Sequence, residues 1–373
     1  MKRRLMMSVV AATAALSLAA CGSAPDDTPA TEDAAPTTEA AEEETEDAVE
    51  PPAEAVDFKG CMVSDAGGWD DQSFNQTSHD GLVRAAAELG IETADIESNS
   101  DDEFGPNVDA MVQQGCDQII GVGYLLADAA QAAADANPDL QFALVDSGFA
   151  EGTENGKALV FNTAEAGYLA GYLAAGMTET GKVATFGGLL IPSVNIFMDG
   201  FYDGVAKYNE EKGTNVELLG WDKNSPETGA NSGGFDDANQ GQILTKGFIA
   251  QGADIIMPVA GPVGLGAAAA ARDAGAKIIW VDTDGFYSTE YGDIILTSVV
   301  KKMDEAVFES LKEGVEGTFT SEPYIGTLEN EGVDIAPFHD FEDAVPDELK
   351  AEIDALREAI IAGEIVVETQ HAP

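Results

Sequence analysis

The chain has 373 residues, 68 acidic against 18 basic, for a formal charge of −50. That balance excludes a nucleic-acid-binding surface, which needs clustered Lys and Arg to hold phosphates. Apolar residues make up 45%, enough for a sizeable core and for roughly two domains of about 100 to 200 residues each. The three cysteines, Cys21, Cys61 and Cys116, are too few for a disulfide scaffold or a Cys-based zinc site.

In chain order, Lys2, Arg3 and Arg4 precede an apolar stretch over 5–20, the charged start and greasy middle of an export signal. Its 16 residues are short for a membrane span, which needs about 20. The stretch ends in Leu18-Ala19-Ala20-Cys21-Gly22, which resembles the lipobox of bacterial lipoproteins. That resemblance implies a signal peptide over 1–20, cut before Cys21, and diacylglycerol on the Cys21 thiol. Between Gly22 and Asp57 there are 13 acidic residues and no basic one. Like-charge repulsion and low hydrophobicity leave 21–57 as a lipidated Cys followed by a disordered acidic tether, reaching at most about 130 Å. The remainder still carries 55 acidic and 15 basic residues. Two readings stay open: adaptation to a saline exterior, where screening relieves self-repulsion, or a general acidic bias.

From Phe58 onward short apolar runs alternate with amphipathic segments. Strands are predicted at 60–64, 92–96, 118–122, 141–145 and 158–161, with a helix over 77–89 and further helical stretches between them. This is the βαβ rhythm of a parallel sheet. The rhythm restarts with strands at 183–186, 216–219, 254–259 and 277–281, interleaved with helices near 195–211, 238–251 and 264–274. A last strand near 294–299, a helix over 302–313 and a C-terminal helix over 347–362 complete two similar α/β halves. Cys61 and Cys116 open strands that would be neighbours. Cys61 stands four residues before Asp65 and Cys116 seven before Gly123, so the two do not look level. Two buried thiols are expected, with a disulfide as the alternative that an oxidising compartment would favour.

Open parallel sheets bind ligands beyond the carboxyl ends of their strands. The first strand runs into Asp65-Ala66-Gly67-Gly68-Trp69-Asp70-Asp71-Gln72-Ser73-Phe74-Asn75-Gln76, loosened by glycine and rich in carboxylates just before a helix. Asp70, Asp71 or Ser73 can cap that helix, but capping does not account for Asp65. This segment resembles the signature of the basic membrane protein family, lipoproteins similar to the purine-nucleoside-binding proteins of ABC importers. Further matches lie at 161–175 around Tyr168 and Tyr172, at 192–204 around Phe197, Gly200 and Phe201, at Phe235-Asp236-Asp237, at 252–266, at Val281-Asp282-Thr283-Asp284 and at 296–301. The chain departs from the family pattern at Trp69, at Gly285 and in a longer loop over 224–234.

The resemblance implies an α/β, two-lobed periplasmic-binding-protein fold of type I, each lobe a doubly wound parallel sheet flanked by helices, with three hinge crossings. The expected division is 58–162 and 294–317 for lobe 1, 163–293 and 318–373 for lobe 2, with crossings near Asn162, Asp293 and Gly317. It also implies an extracytoplasmic, lipid-anchored, monomeric protein that captures nucleosides, purine nucleosides foremost, for ABC permease subunits. A sensing receptor subunit, or a different solute such as a sugar, is the alternative.

For the ligand, Phe74 and Phe197 match the two aromatics that sandwich the base in that family. Asp282, with Asp284 as its alternative, is expected to take the sugar hydroxyls, and Asp128 the base nitrogens. Asp65, Ser73 and Asn75 join from the first half. Gly261 lets backbone approach closely, and Lys301 either bonds ligand or neutralises the cleft carboxylates. No cofactor, metal or catalytic group is expected. Gly121-Val122-Gly123 lacks the third glycine of a dinucleotide fingerprint, and Tyr287 stands where a calcium loop starting at Asp282 needs Gly. His79, His339 and His371 are far apart in sequence and are read as surface or packing residues. Nothing in the sequence sets a nucleophile beside a base, so a nucleoside hydrolase is disfavoured.

Overall fold

The computed structural model describes residues 55–373. The export signal, Cys21 and nearly all of the acidic tether lie outside the described residues.

The first half runs β1 (Lys59–Ser64), α1 (Phe74–Leu89), β2 (Glu92–Ile96), α2 (Asp101–Gln113), β3 (Gln118–Val122), α3 (Ala127–Ala136), β4 (Gln141–Val145) and β5 (Gly156–Phe161). The second runs α4 (Thr163–Met177), β6 (Lys182–Gly187), α5 (Pro192–Lys212), β7 (Glu217–Leu219), α6 (Ala238–Ala250), β8 (Ile255–Val259), α7 (Val263–Ala274), β9 (Lys277–Asp282), α8 (Gly285–Ser288) and β10 (Ile295–Lys301). The chain closes with α9 (Met303–Glu316), β11 (Tyr324–Gly326), β12 (Val333–Ile335) and α10 (Asp347–Ile361).

Two six-stranded sheets result, in the orders β11-β5-β4-β3-β1-β2 and β12-β10-β9-β8-β6-β7. The five long-range parallel strands of each lobe repeat one order, fifth-fourth-third-first-second, so the halves are related by an internal pseudo-symmetry. Central strands such as β3 and β8 are buried along their whole length, which is why they read as continuous apolar runs rather than alternating ones. The sixth strands differ: β11 lies parallel to β5, β12 antiparallel to β10.

The lobe boundaries expected from sequence need correction. Residues 295–301 pair with β9 and complete the second sheet, whereas α9 returns to the first lobe and packs on α1. The second crossing is therefore at Lys302, not Asp293. Residues 324–326 pair with β5, so the third crossing occupies residues 327–332, not Gly317. The first crossing is at Asn162, and its backbone angles (φ −81°, ψ 62°) nearly repeat at Lys302 (φ −83°, ψ 60°). The same turn thus swaps a helix between lobes twice.

Cys61 and Cys116 are joined in a disulfide, with their Cα atoms 5.9 Å apart, against the expectation of two free thiols. The stagger inferred from sequence is real, since Cys61 pairs with Ile119. Cys116, however, is not on the strand. It lies in the turn leading from α2, where Gly115 at φ +74° bends the chain back over β1.

Candidate functional site

A cavity of about 520 Å³, counting solvent at its mouth, opens between the two lobes. Its first-lobe wall comes from the loops after β1, β3 and β4, carrying Asp65, Asp71, Phe74, Asn75, Tyr124 and Asp146. The second lobe contributes Phe197, Phe235, Gly261 and Asp282 among others. Asp65, Asp146 and Asp282 sit at strand ends and Phe74 at a helix start, where the topology brings loops of both sheets face to face.

Helix packing sets the aromatic positions. Phe74 opens α1 and is half buried, while Phe197 on α5 is 2% exposed. The packing of α5 on α4 is close enough that a Cβ on Gly167 would stand 2.7 Å from the Phe197 carbonyl oxygen. Backbone-to-backbone contact leaves Phe197 little freedom. Asp65 faces Gly123 directly, and that glycine adopts φ +116°, so both its conformation and its lack of a Cβ are required.

Asp71 caps α1. Its carboxylate accepts the backbone N–H groups of Asn75 at 2.8 Å and of Ser73 and Gln76 at 3.0 Å. Asn75 donates its amide to the Ala66 carbonyl at 3.0 Å, and its Oδ1 is buried without a partner. An orphaned acceptor of this kind is costly until a ligand donor meets it.

Lys301 ends β10, and its side chain is 1% exposed. Its Nζ donates to both Asp146 oxygens, at 2.7 and 2.6 Å, and stands 3.8 Å from Asp282 Oδ1. Asp146 and Asp282 occupy equivalent places in the two lobes, at the ends of the fourth strands, and both are left-handed, at φ +63° and +73°. That conformation is uncommon for residues other than glycine, though Asp tolerates it better than most. The ammonium also lies 4.8, 5.2 and 5.4 Å from the ring centroids of Phe74, Phe161 and Phe197, within cation–π range. Lys301 thus stands as counter-ion to Asp146 and Asp282.

The structure brings Asp65, Phe74, Asn75, Phe197, Gly261 and Asp282 into one lining. Ser73 is buried and donates to Asp282 Oδ2 at 2.8 Å. The expectation for Asp128 finds no support: it is exposed and away from the cavity. A 3₁₀ turn at Tyr124–Leu126 separates it from β3, and Tyr124 takes the place at the strand end. Asp284 is likewise absent from the lining, because it caps α8 and meets His339 Nε2 at 2.7 Å. Sequence reasoning missed Asp146 and treated Asp71 only as a cap.

Four carboxylates thus crowd one cleft against one buried ammonium. Burial raises Asp65 well above the usual carboxylate range, with the charges of Asp71 and Asp146 adding to it. Asp146 and Asp282 are also raised by burial, and Lys301 opposes the rise in both. Asp71 is pushed up to about 6 by burial, despite its backbone N–H bonds. A carboxyl raised in the folded state stays protonated while its unfolded counterpart ionises, so folding stability declines as pH rises from the unfolded pKa to the folded one. The ligand-free protein should therefore lose stability between about pH 4 and pH 6, with Asp71 accounting for about 3 kcal/mol at most. Chemical denaturation of Asp71→Asn across that window should show a shallower slope. A slope equal to that of the parent would rule Asp71 out as its source.

Comparison with known proteins agrees with this geometry. Residues 58–371 match the Bmp family model, described as ABC transporter substrate-binding protein PnrA-like. The ABC transporter nucleoside-binding protein BmpA of Lactococcus lactis is 27% identical, over 84% of this chain and 89% of its own. Basic membrane protein A of Borreliella burgdorferi is 29% identical, over 81% of this chain and 85% of its own. Among solved structures, an ABC transporter solute-binding protein from Aeropyrum pernix superposes with a TM-score of 0.76 at 25% identity, covering 84% of this chain and 94% of the other. With a family match across almost the whole described body, and a two-lobed fold whose cleft is lined from both sides, the chain belongs to the Bmp family of PnrA-like ABC transporter substrate-binding proteins.

Proposed function

We propose that this substrate-binding protein captures nucleosides, purine nucleosides foremost, outside the cytoplasmic membrane and delivers them to an ABC permease. The observation that carries the reading is the chemistry of the cavity wall: the phenylalanine faces of Phe74 and Phe197 beside several carboxyl and amide oxygens. Asn75 Oδ1, Asp146 and Asp282 offer acceptor oxygens, Asp65 adds a further carboxyl, and the ammonium among them is already engaged. Such a wall suits a ligand with a flat aromatic ring and several O–H and N–H donors. It disfavours a phosphate, which would meet carboxylates with no free cation.

Lipid anchoring through Cys21 belongs to the same proposal, on the strength of the leader and of Leu18-Ala19-Ala20-Cys21. The Cys61–Cys116 bond supports an oxidising compartment.

Isothermal titration with inosine, guanosine, adenosine, pyrimidine nucleosides and their 5′-monophosphates tests the reading. The purine nucleosides should bind and the monophosphates should not. Phe74→Ala should weaken binding by about 1 to 3 kcal/mol, the worth of one base–aromatic stack, while unfolding stays cooperative. If a sugar binds and no nucleoside does, the ligand assignment is wrong.

A further inference from the structure

The loop after β1 reaches across the cleft beyond the cavity. The Gln72 carbonyl accepts the Trp280 indole N–H at 3.3 Å and the Ser288 hydroxyl at 3.2 Å. The next residue repeats the connection, since the Ser73 hydroxyl donates to Asp282 and lies 3.2 Å from the Val281 carbonyl oxygen. Every one of these contacts joins lobe 1 to lobe 2, and Gln72, Ser73, Trp280 and Ser288 are all absent from the cavity lining. Trp280 is 1% exposed, and glycines flank its ring: a Cβ on Gly264 would stand 3.0 Å from it and one on Gly285 2.5 Å. The indole therefore has one position, and its N–H one target. Gln72 itself holds φ +56°, a conformation side chains adopt at a cost and keep where surrounding contacts enforce it.

We propose that Gln72 and Ser73 form, with Trp280 and Ser288, a latch that holds the lobes together without ligand, so that Ser73 is a closure residue and not a ligand contact. A latch of this kind favours the closed state of an open–closed equilibrium. Ligand leaves when the lobes part, so the latch also slows release. The kinetic half of this inference rests on the solute-binding reading; the structural half does not.

The test is the double variant Trp280→Phe/Ser288→Ala, which keeps a ring in the slot and touches no lining residue. Spin labels replace exposed Asp128 and Ala238, one on each lobe, in a chain lacking Cys21. Without ligand, the parent should give one short distance and the double variant a longer, broader distribution, while Ser288→Thr, which retains the hydroxyl, stays short. With inosine as probe, dissociation should quicken roughly tenfold or more, the scale of two lost neutral hydrogen bonds, with association nearly unchanged. An unchanged ligand-free distance in the cooperatively folded double variant overturns the latch. If that variant does not fold, Ser288→Ala alone is read by the same criterion. A shifted distance with no inosine binding even to the parent would keep the latch and remove the nucleoside assignment.

Discussion

Lys301→Met should lower the unfolding free energy at neutral pH by about 3 to 5 kcal/mol, the cost of breaking a buried ion pair by removing one partner. The side chain fills the same space, so the loss is electrostatic. Asp146 and Asp282 would remain in the cleft, about nine-tenths buried, with exposures of 10% and 8%, and with no cation against them. Both carboxyls are already raised by burial, and Lys301 is what opposes the rise. Its removal lifts them further, so the pH interval over which the folded state holds protons that the unfolded state has released becomes wider. The deficit of the variant should therefore be smallest near about pH 3, where these carboxyls are mostly protonated in both states, and should grow toward about pH 7.5. Adding Asp146→Asn should recover part of it, because a neutral amide beside methionine leaves one buried charge fewer. Urea denaturation at the two pH values measures all of this. A deficit of the same size at both would mean that packing around the aliphatic stem matters and the ion pair does not.

The same cluster indicates what the sequence makes legible. Inspecting polar residues at strand ends leads to Asp65 and Asp282, and the rule applies equally to Asp146 after Leu144-Val145. Beyond that strand-end position, no motif in the local sequence marks Asp146. Its importance lies in a partner 155 residues away. Asp128 fails for the opposite reason, since a short 3₁₀ turn shifts it off the strand end by one helical step. Nearly all long strands and helices fall where apolar periodicity puts them, but periodicity does not say which sheet a strand joins. The strand expected near 294–299 in the first lobe therefore pairs with β9 in the second. A structural regularity could have corrected that expectation: the first half crosses over after its fifth strand, and the second half, repeating the same order, does so as well. The three-residue strands at 324–326 and 333–335 are too short to carry a period at all.

Reducing the Cys61–Cys116 bond should cost about 4 kcal/mol of stability, on the loop-closure estimate for a sequence separation of 55. The closed loop contains most of β1, the Asp65–Gln76 segment, α1, β2 and α2, so the bond restrains almost half of the first lobe in the unfolded chain. Both cysteines are essentially inaccessible, at 0% and 1% exposure, among Phe104, Val108 and Met111. Reductant should therefore act slowly on the folded protein and quickly once it is unfolded. In a chain lacking Cys21, thiol counting on unfolded, unreduced protein should find no free thiol, and two would exclude the bond. The reduced protein should then unfold at lower urea concentration. Its ligand affinity should stay the same wherever it remains folded, because the constraint acts on the unfolded ensemble and the bond lies toward the opposite strand ends from the cleft. A fall in affinity matching the fall in stability would instead mean that the turn at Cys116 holds β1, and with it Asp65, in place in the native state.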